Sequence, residues 1–337
     1  MTYYASLPLM EIMPQGARLL EPPFRVIKHV PGAGVLAEFG EEGIAPLREV
    51  LAALDTPCLY VWDGMRQSYR VTATDMQPAR KLKPGRNRQV LRRLERRAKW
   101  AALDKSLCEG VTEPTVIPDG RVPFFWQYKR FTYVRPGQER PFRYSLRSPK
   151  GKGAYPLVVY LHSAGGFGVN GVKAVVEIGL LPQLLFKRCR VLVPQVGLGP
   201  MYDSEEFAQD LREAIERVPR VDNTRIYIAG TSYGGYGAIM ECRRHPDRYA
   251  ACVTSVAALA NLRDPLSGED FDALARIPMW LGYSRDEQPE NEPVYEALKA
   301  RGADVKQTYI KRFRHGPAGP VFWLTKPWAR WLFSKHK

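Results

Sequence analysis

The chain has 337 residues, 45% of them hydrophobic and 25% charged, with a formal net charge of +15; this suits one large α/β domain with an appendage, or two domains. No apolar run approaches the roughly 18–20 residues needed to cross a bilayer, and the opening Met1-Thr2-Tyr3-Tyr4 lacks the basic-then-apolar form of a secretory signal, so a cytoplasmic protein is expected. Cys58, Cys108, Cys189, Cys242 and Cys252 show no CxxC spacing and no neighbouring histidines, which argues for reduced thiols rather than a zinc site or a disulfide framework.

Residues 1–110 read as a small α+β segment without a recognisable motif. Phe24 to Val30 and Gly34 to Phe39 alternate as strands around a Pro31-Gly32 turn. Ile44 to Ala53 has helical spacing, and Cys58 to Trp62 and Tyr69 to Thr74 read as further strand. From Arg86 to Lys105, apolar Val90, Leu91, Leu94, Ala98, Ala101 and Ala102 recur at helical intervals. The other face is basic: between Arg80 and Lys99 ten Lys or Arg stand against one acid, Glu95. Such a run suits an anionic polymer through residues 80–99, although a solvated helix face would look the same, and no aromatic residues interleave for base stacking.

Beyond residue 110 the pattern becomes regular. Phe124 to Val134 and Phe142 to Arg147 read as an antiparallel pair, and Pro156 to His162 as a buried parallel strand. There follow a helix (Val172 to Lys187), strand (Cys189 to Pro194), helix (Ser204 to Arg217), strand (Thr224 to Ala229), helix (Gly234 to Arg244), two strands (Ala250 to Val256, Pro278 to Tyr283), helix (Glu292 to Arg301), strand (Val305 to Lys311) and a closing helix within Val321 to Phe333. Strands alternating with helices predict a mostly parallel sheet with helices on both faces in residues 111–337.

The stretch Ile226 to Gly237 carries Gly230-Thr231-Ser232-Tyr233-Gly234 between strand and helix. This Gly-x-Ser-x-Gly spacing is the form of a nucleophile elbow, in which glycines make room for a sharp turn that lifts the serine to a helix N-terminus. The partners should follow in the order acid, then histidine. Asp286 in Ser284-Arg285-Asp286-Glu287 is the expected acid, with Glu287 or Asp270 as alternatives, and His315 the expected base. His29, His162, His245 and His336 have the wrong topology or a structural explanation. Oxyanion donors are expected from Tyr233 N–H and from Ser163 or Ala164 in the loop His162-Ser163-Ala164-Gly165-Gly166. Gly165, Gly166, Met201 and Tyr202 are expected to line the substrate pocket. No metal or cofactor is called for.

Several collinear motifs extend the pattern: Pro156 to His162 with its glycine loop, Val193-Pro194-Gln195, Val221 to Gly230, the elbow, and Arg244 to Ala251. Over residues 122–334 the chain resembles serine esterases of the α/β-hydrolase superfamily, in the branch of feruloyl esterases and polyhydroxybutyrate-depolymerase-like enzymes. That resemblance implies an α/β-hydrolase fold and cleavage of a small-molecule or polymeric ester through an acyl-enzyme. Two departures stand out. Ser163 occupies a place where that family usually has glycine, and the loop after Gln195 lacks its frequent tryptophan. Tyr233 after the serine resembles prolyl-oligopeptidase-type peptidases, which makes peptide cleavage an alternative, beside acyl transfer and a non-catalytic binding role.

Overall fold

The computed structural model describes residues 1–7, 21–30, 34–53, 58–82, 84–138, 140–168, 171–179, 181–196, 202–259 and 265–337, without the side chains of residues 53 and 80. The Pro31-Gly32 turn, Met201 and most of the loop before Tyr202 lie outside the described residues. The chain divides into two compact units, Met1–Ser106 and Leu107–Lys337.

The first unit is an antiparallel sheet built from β1 (Tyr3–Leu7), β2 (Arg25–Val30), β3 (Gly34–Phe39), β4 (Leu59–Asp63), β5 (Gln67–Val71) and β6 (Met76–Lys81), with α1 (Ile44–Ala53) and α2 (Arg86–Cys108). Its strand order is β2-β3-β1-β4-β5-β6. Side chains alternate across the sheet: Val35, Ala37 and Phe39 pack with Leu47, Val50 and Leu51 of α1, whereas Leu36 and Trp62 pack with Val90 and Leu94 of α2. The Trp62 indole donates to Asn87 Oδ1 at 2.9 Å. β6 escapes the sequence pattern because Pro78 and its cations suit an edge strand rather than a half-buried one.

The second unit holds β7 (Thr115–Val122), β8 (Phe125–Val134), β9 (Phe142–Arg147), β10 (Tyr155–Leu161), α3 (Val172–Ile178), β11 (Arg190–Gln195), α4 (Glu205–Glu216), β12 (Val221–Thr231), α5 (Tyr233–Arg244), β13 (Ala251–Ser255), α6 (Gly268–Ala275), β14 (Met279–Ser284), α7 (Gln288–Ala300), β15 (Val305–Ile310), α8 (His315–Thr325) and α9 (Trp328–Leu332). The sheet runs β15-β14-β13-β12-β10-β11-β9-β8-β7. It is parallel from β15 to β11 and antiparallel from there to β7. The expected mostly parallel sheet with helices on both faces is present.

Every residue of β10 is buried, as a strand covered on both faces requires. Leu157, Val159 and Leu161 face a core shared with α4, α5, α6 and α7. Val158 and Tyr160 face α3, α8 and α9. Each fully buried Val or Leu contributes about 1.5–3 kcal/mol of transfer free energy, so the elbow is anchored in the most deeply buried part of the sheet. The helix expected through Lys187 stops at Ile178: Gly179 follows, and Pro182 opens a separate short turn because it lacks an N–H and disfavours helix in the residue before it. β7 carries Pro118, Asp119 and Gly120 and pairs through two register shifts, which hides its period. The interval 257–277 contains α6, started by a capping box between Ser267 and Asp270.

Candidate active site

β12 delivers Ser232 to the tip of a turn into α5, with φ 56° and ψ −118°, a conformation that is costly for a non-glycine residue. The turn is held from three sides. Ser232 N–H donates to Ser255 O at 2.9 Å, and Ser232 O accepts from Ala258 N at 3.0 Å and Tyr236 N at 3.0 Å. A β-carbon at Gly230 would collide with the backbone of Gly234, and one at Gly234 with the carbonyl of Leu161. The two flanking glycines are thus required by close approach of backbone to backbone.

His315 opens α8. Its Nε2 lies 2.9 Å from Ser232 Oγ, and its Nδ1 lies 2.5 Å from Glu287 Oε1. The acid on the imidazole is therefore Glu287, not the expected Asp286. Glu287 is 6% exposed, and its other oxygen accepts from Ser284 N at 3.0 Å and Ser284 Oγ at 2.7 Å. Asp286 is exposed and accepts from the backbone N–H of His315 at 3.1 Å. One position along a turn separates a side chain aimed inward from one aimed at solvent. Asp270, the other alternative, is occupied in its capping box, accepting from Ser267 N at 2.8 Å.

The electrostatics follow from this pairing. The hydrogen bond to Glu287 raises the His315 pKa above its ordinary 6.5, against an opposing effect of burial, with the Glu287 and Asp286 charges adding to the rise. For Glu287 burial works upward, but hydrogen bonds from His315 and Ser284 outweigh it and hold the carboxyl below its ordinary value. Nδ1 carries the proton in this arrangement and Nε2 is left to accept from Ser232.

Beneath the serine a polar chain links four elements. Thr231 Oγ1 accepts from the Trp323 indole at 2.8 Å and shares a 2.8 Å bond with the Tyr160 hydroxyl. Tyr160 in turn donates to Glu177 Oε2 at 3.5 Å. Glu177 also accepts from Ser163 N at 2.8 Å and Ser163 Oγ at 2.6 Å. The Ser163 N–H is consequently committed to Glu177 rather than open toward Ser232, which corrects the expectation that it faces an oxyanion. Ala164 is exposed, and its N–H meets no acceptor among the described residues. Tyr233 N–H begins α5 directly after Ser232.

His162 supports the same loop. Its Nδ1–H donates to Ser163 O at 2.7 Å and its Nε2 accepts from Val196 N at 3.1 Å. Burial pushes its pKa down to about 4, so it is a neutral strut. Gly166 is buried tightly against the His162 ring, while Gly165 is exposed. Tyr202, expected in the pocket, is fully buried, donates to His162 O at 3.1 Å and packs edge-on against Phe207. It braces the core rather than presenting a surface to substrate. Glu177 is the residue that sequence reasoning missed: it lies in the last turn of α3 with no motif around it, and only the return of that helix brings it under Ser163.

Residues 201–311, about one third of the chain, match the sequence pattern of the prolyl oligopeptidase family. No curated protein matches the chain. Among solved structures, a thermostable esterase is 21% identical with a TM-score of 0.54, over 63% of this chain and 63% of that one. A Pyrobaculum calidifontis esterase is 17% identical with a TM-score of 0.48, over 76% and 95%. A ferulic acid esterase is 16% identical with a TM-score of 0.47, over 66% and 97%. This chain thus spans less than two thirds of the thermostable esterase's length. Strand order, elbow and the likeness to the thermostable esterase agree that the unit from Leu107 to Lys337 has the α/β-hydrolase fold, and part of that unit is similar in sequence to the prolyl oligopeptidase family.

Proposed function

We propose that the protein is a serine hydrolase that cleaves a carboxylic ester through an acyl-enzyme. The observation that carries this reading is the continuous chain Ser232 Oγ, His315 Nε2, His315 Nδ1, Glu287 Oε1 at 2.9 and 2.5 Å on a strained elbow. In this mechanism His315 takes the Ser232 proton as the oxygen attacks the ester carbonyl, and Glu287 stabilises the imidazolium. Tyr233 N–H and Ala164 N–H hold the oxyanion. His315 returns the proton to the leaving alcohol, and water, deprotonated by the same imidazole, releases the acid.

The test uses a fluorophosphonate probe and p-nitrophenyl acetate. Wild type is labelled and turns over, and Ser232→Ala and His315→Ala abolish both. A folded wild type that neither reacts nor hydrolyses overturns the reading in favour of a binding protein. Peptide cleavage is the second reading, favoured by the family match across 201–311. Against it, the first unit is a six-stranded sheet among the described residues, whereas the peptidases that Tyr233 resembles carry a far larger propeller. Turnover of a proline-containing peptide above that of the ester would select the peptidase; transfer of the acyl group to an added alcohol would select an acyltransferase. The basic face of α2 exposes Arg88, Arg92, Arg93, Arg96 and Lys99, none of them in an ion pair among the described residues. Salt-sensitive retention on heparin would support anionic-polymer binding there.

A further inference from the structure

A corner of the second unit exposes large apolar side chains. Phe124 at the β7–β8 turn is 94% exposed and Trp126 is 73% exposed; Leu185 and Phe186, in the loop that leads to β11, are 55% and 86% exposed. Phe124 adopts φ 66°, which a bulky residue takes only at a cost. The two segments share one corner. Tyr128 pairs with Arg147, whose guanidinium donates to Leu184 O at 2.9 Å, and Gln127 and Leu185 line the same cleft of about 420 Å³. The Arg121 guanidinium fixes the hairpin by donating to Trp126 O at 3.1 Å.

The rim of this patch is cationic. Arg121, Lys150, Lys152 and Arg188 are exposed; Arg121 holds Trp126, and Lys150 and Arg188 line the same cleft. Residues 120–152 contain one acid, Glu139, and residues 178–202 contain none. We propose that this corner is a docking surface for an anionic lipid bilayer: the aromatic and aliphatic tips enter the interface while the basic rim meets lipid phosphates. Charge decides against a second copy of the chain, since self-docking would bring two cationic rims together. Shape decides against single-stranded nucleic acid. Rings that are 86% and 94% exposed project outward rather than line a groove, and Leu185 has no face on which a base can stack. Among the described residues no helix is long and apolar enough to cross a membrane, so the contact is peripheral.

The experiment is co-sedimentation of the full chain with phosphatidylcholine vesicles, with or without about one-third phosphatidylglycerol, beside tryptophan emission. Wild type pellets with the anionic vesicles, its emission shifts to the blue, and added salt releases it. Trp126→Ala with Phe186→Ser, and separately Lys150→Glu with Lys152→Glu, weaken binding roughly tenfold or more while the thermal melt stays unchanged. Trp126→Phe keeps binding but loses most of the blue shift. Equal pelleting of wild type and both patch variants overturns the proposal, as does loss of binding through Arg92→Glu with Arg96→Glu on α2 alone. No vesicle binding together with patch-dependent binding of polyuridylate would reassign the surface to nucleic acid, and patch-dependent dimers would reassign it to self-association.

Discussion

Glu287→Gln, set beside Asp286→Asn, tests which acid serves the histidine. In the native site Glu287 Oε2 receives two hydrogen bonds from Ser284, including a fixed one from the backbone N–H at 3.0 Å, while Oε1 faces His315 Nδ1. A glutamine must put its carbonyl oxygen where that backbone N–H donates. Its NH2 group then faces Nδ1 and forces the imidazole into the tautomer that carries the proton on Nε2. That tautomer cannot accept the Ser232 proton, and the negative charge that stabilises an imidazolium is gone as well. The corresponding change in a Ser-His-Asp protease costs about 10⁴ in kcat, or about 5.5 kcal/mol in barrier. Asp286→Asn keeps an acceptor for the His315 N–H at an exposed position, so its effect should stay within about tenfold. Initial rates on p-nitrophenyl acetate and the rate of fluorophosphonate labelling measure both variants. Glu287→Gln within tenfold of wild type, or Asp286→Asn down by several decades, would refute the assignment.

The pH dependence carries a sign. Because Glu287 raises the His315 pKa, the acid limb of kcat/KM should lie above 6.5, with activity growing as pH rises through it, and the residual activity of Glu287→Gln should show that limb displaced downward. The same pair gives stability that is lost as pH rises through the raised pKa of His315, and lost at the acid end as pH falls through the lowered pKa of Glu287; thermal melts across pH check both edges. Ala164→Pro removes one N–H at the first position of the short helical turn Ala164–Gly166, where proline fits. It should lower kcat about 10²–10³-fold with little change in KM, and an unchanged kcat would exclude Ala164 as an oxyanion donor. Glu241 is 1% exposed, its carboxyl accepts only from Tyr249 among the described residues, at 3.2 Å, and burial pushes it up to about 7. Its neutral form favours the fold at low pH and that gain disappears as pH rises through 7, so Glu241→Gln should stabilise by up to about 3 kcal/mol at pH 8 and hardly at all at pH 5. Equal melting shifts at the two pH values would contradict this.

What the sequence determined by itself was the part governed by local rules. The all-buried β10, the alternating strands and helices that follow it, and the glycines flanking Ser232 are readable because a parallel strand covered on two faces must be apolar and a backbone-to-backbone approach admits only glycine. His315 was legible for a related reason: the other histidines lay in the wrong place along the chain. The edge strands β6 and β7 were not, since an edge has no obligation to bury both faces or to donate every N–H. Direction also escaped the sequence. Asp286 and Glu287 are adjacent and chemically alike, and the choice between them is made by the turn after β14, where Ser284 holds Glu287 inward. Tyr202 and Ser163 sit beside the expected pocket in sequence, yet one is buried in the core and the other is tied to Glu177. Only the tertiary structure decided these, because hydrogen-bond partners brought from distant helices fix which way a side chain points, and no spacing along the chain records that.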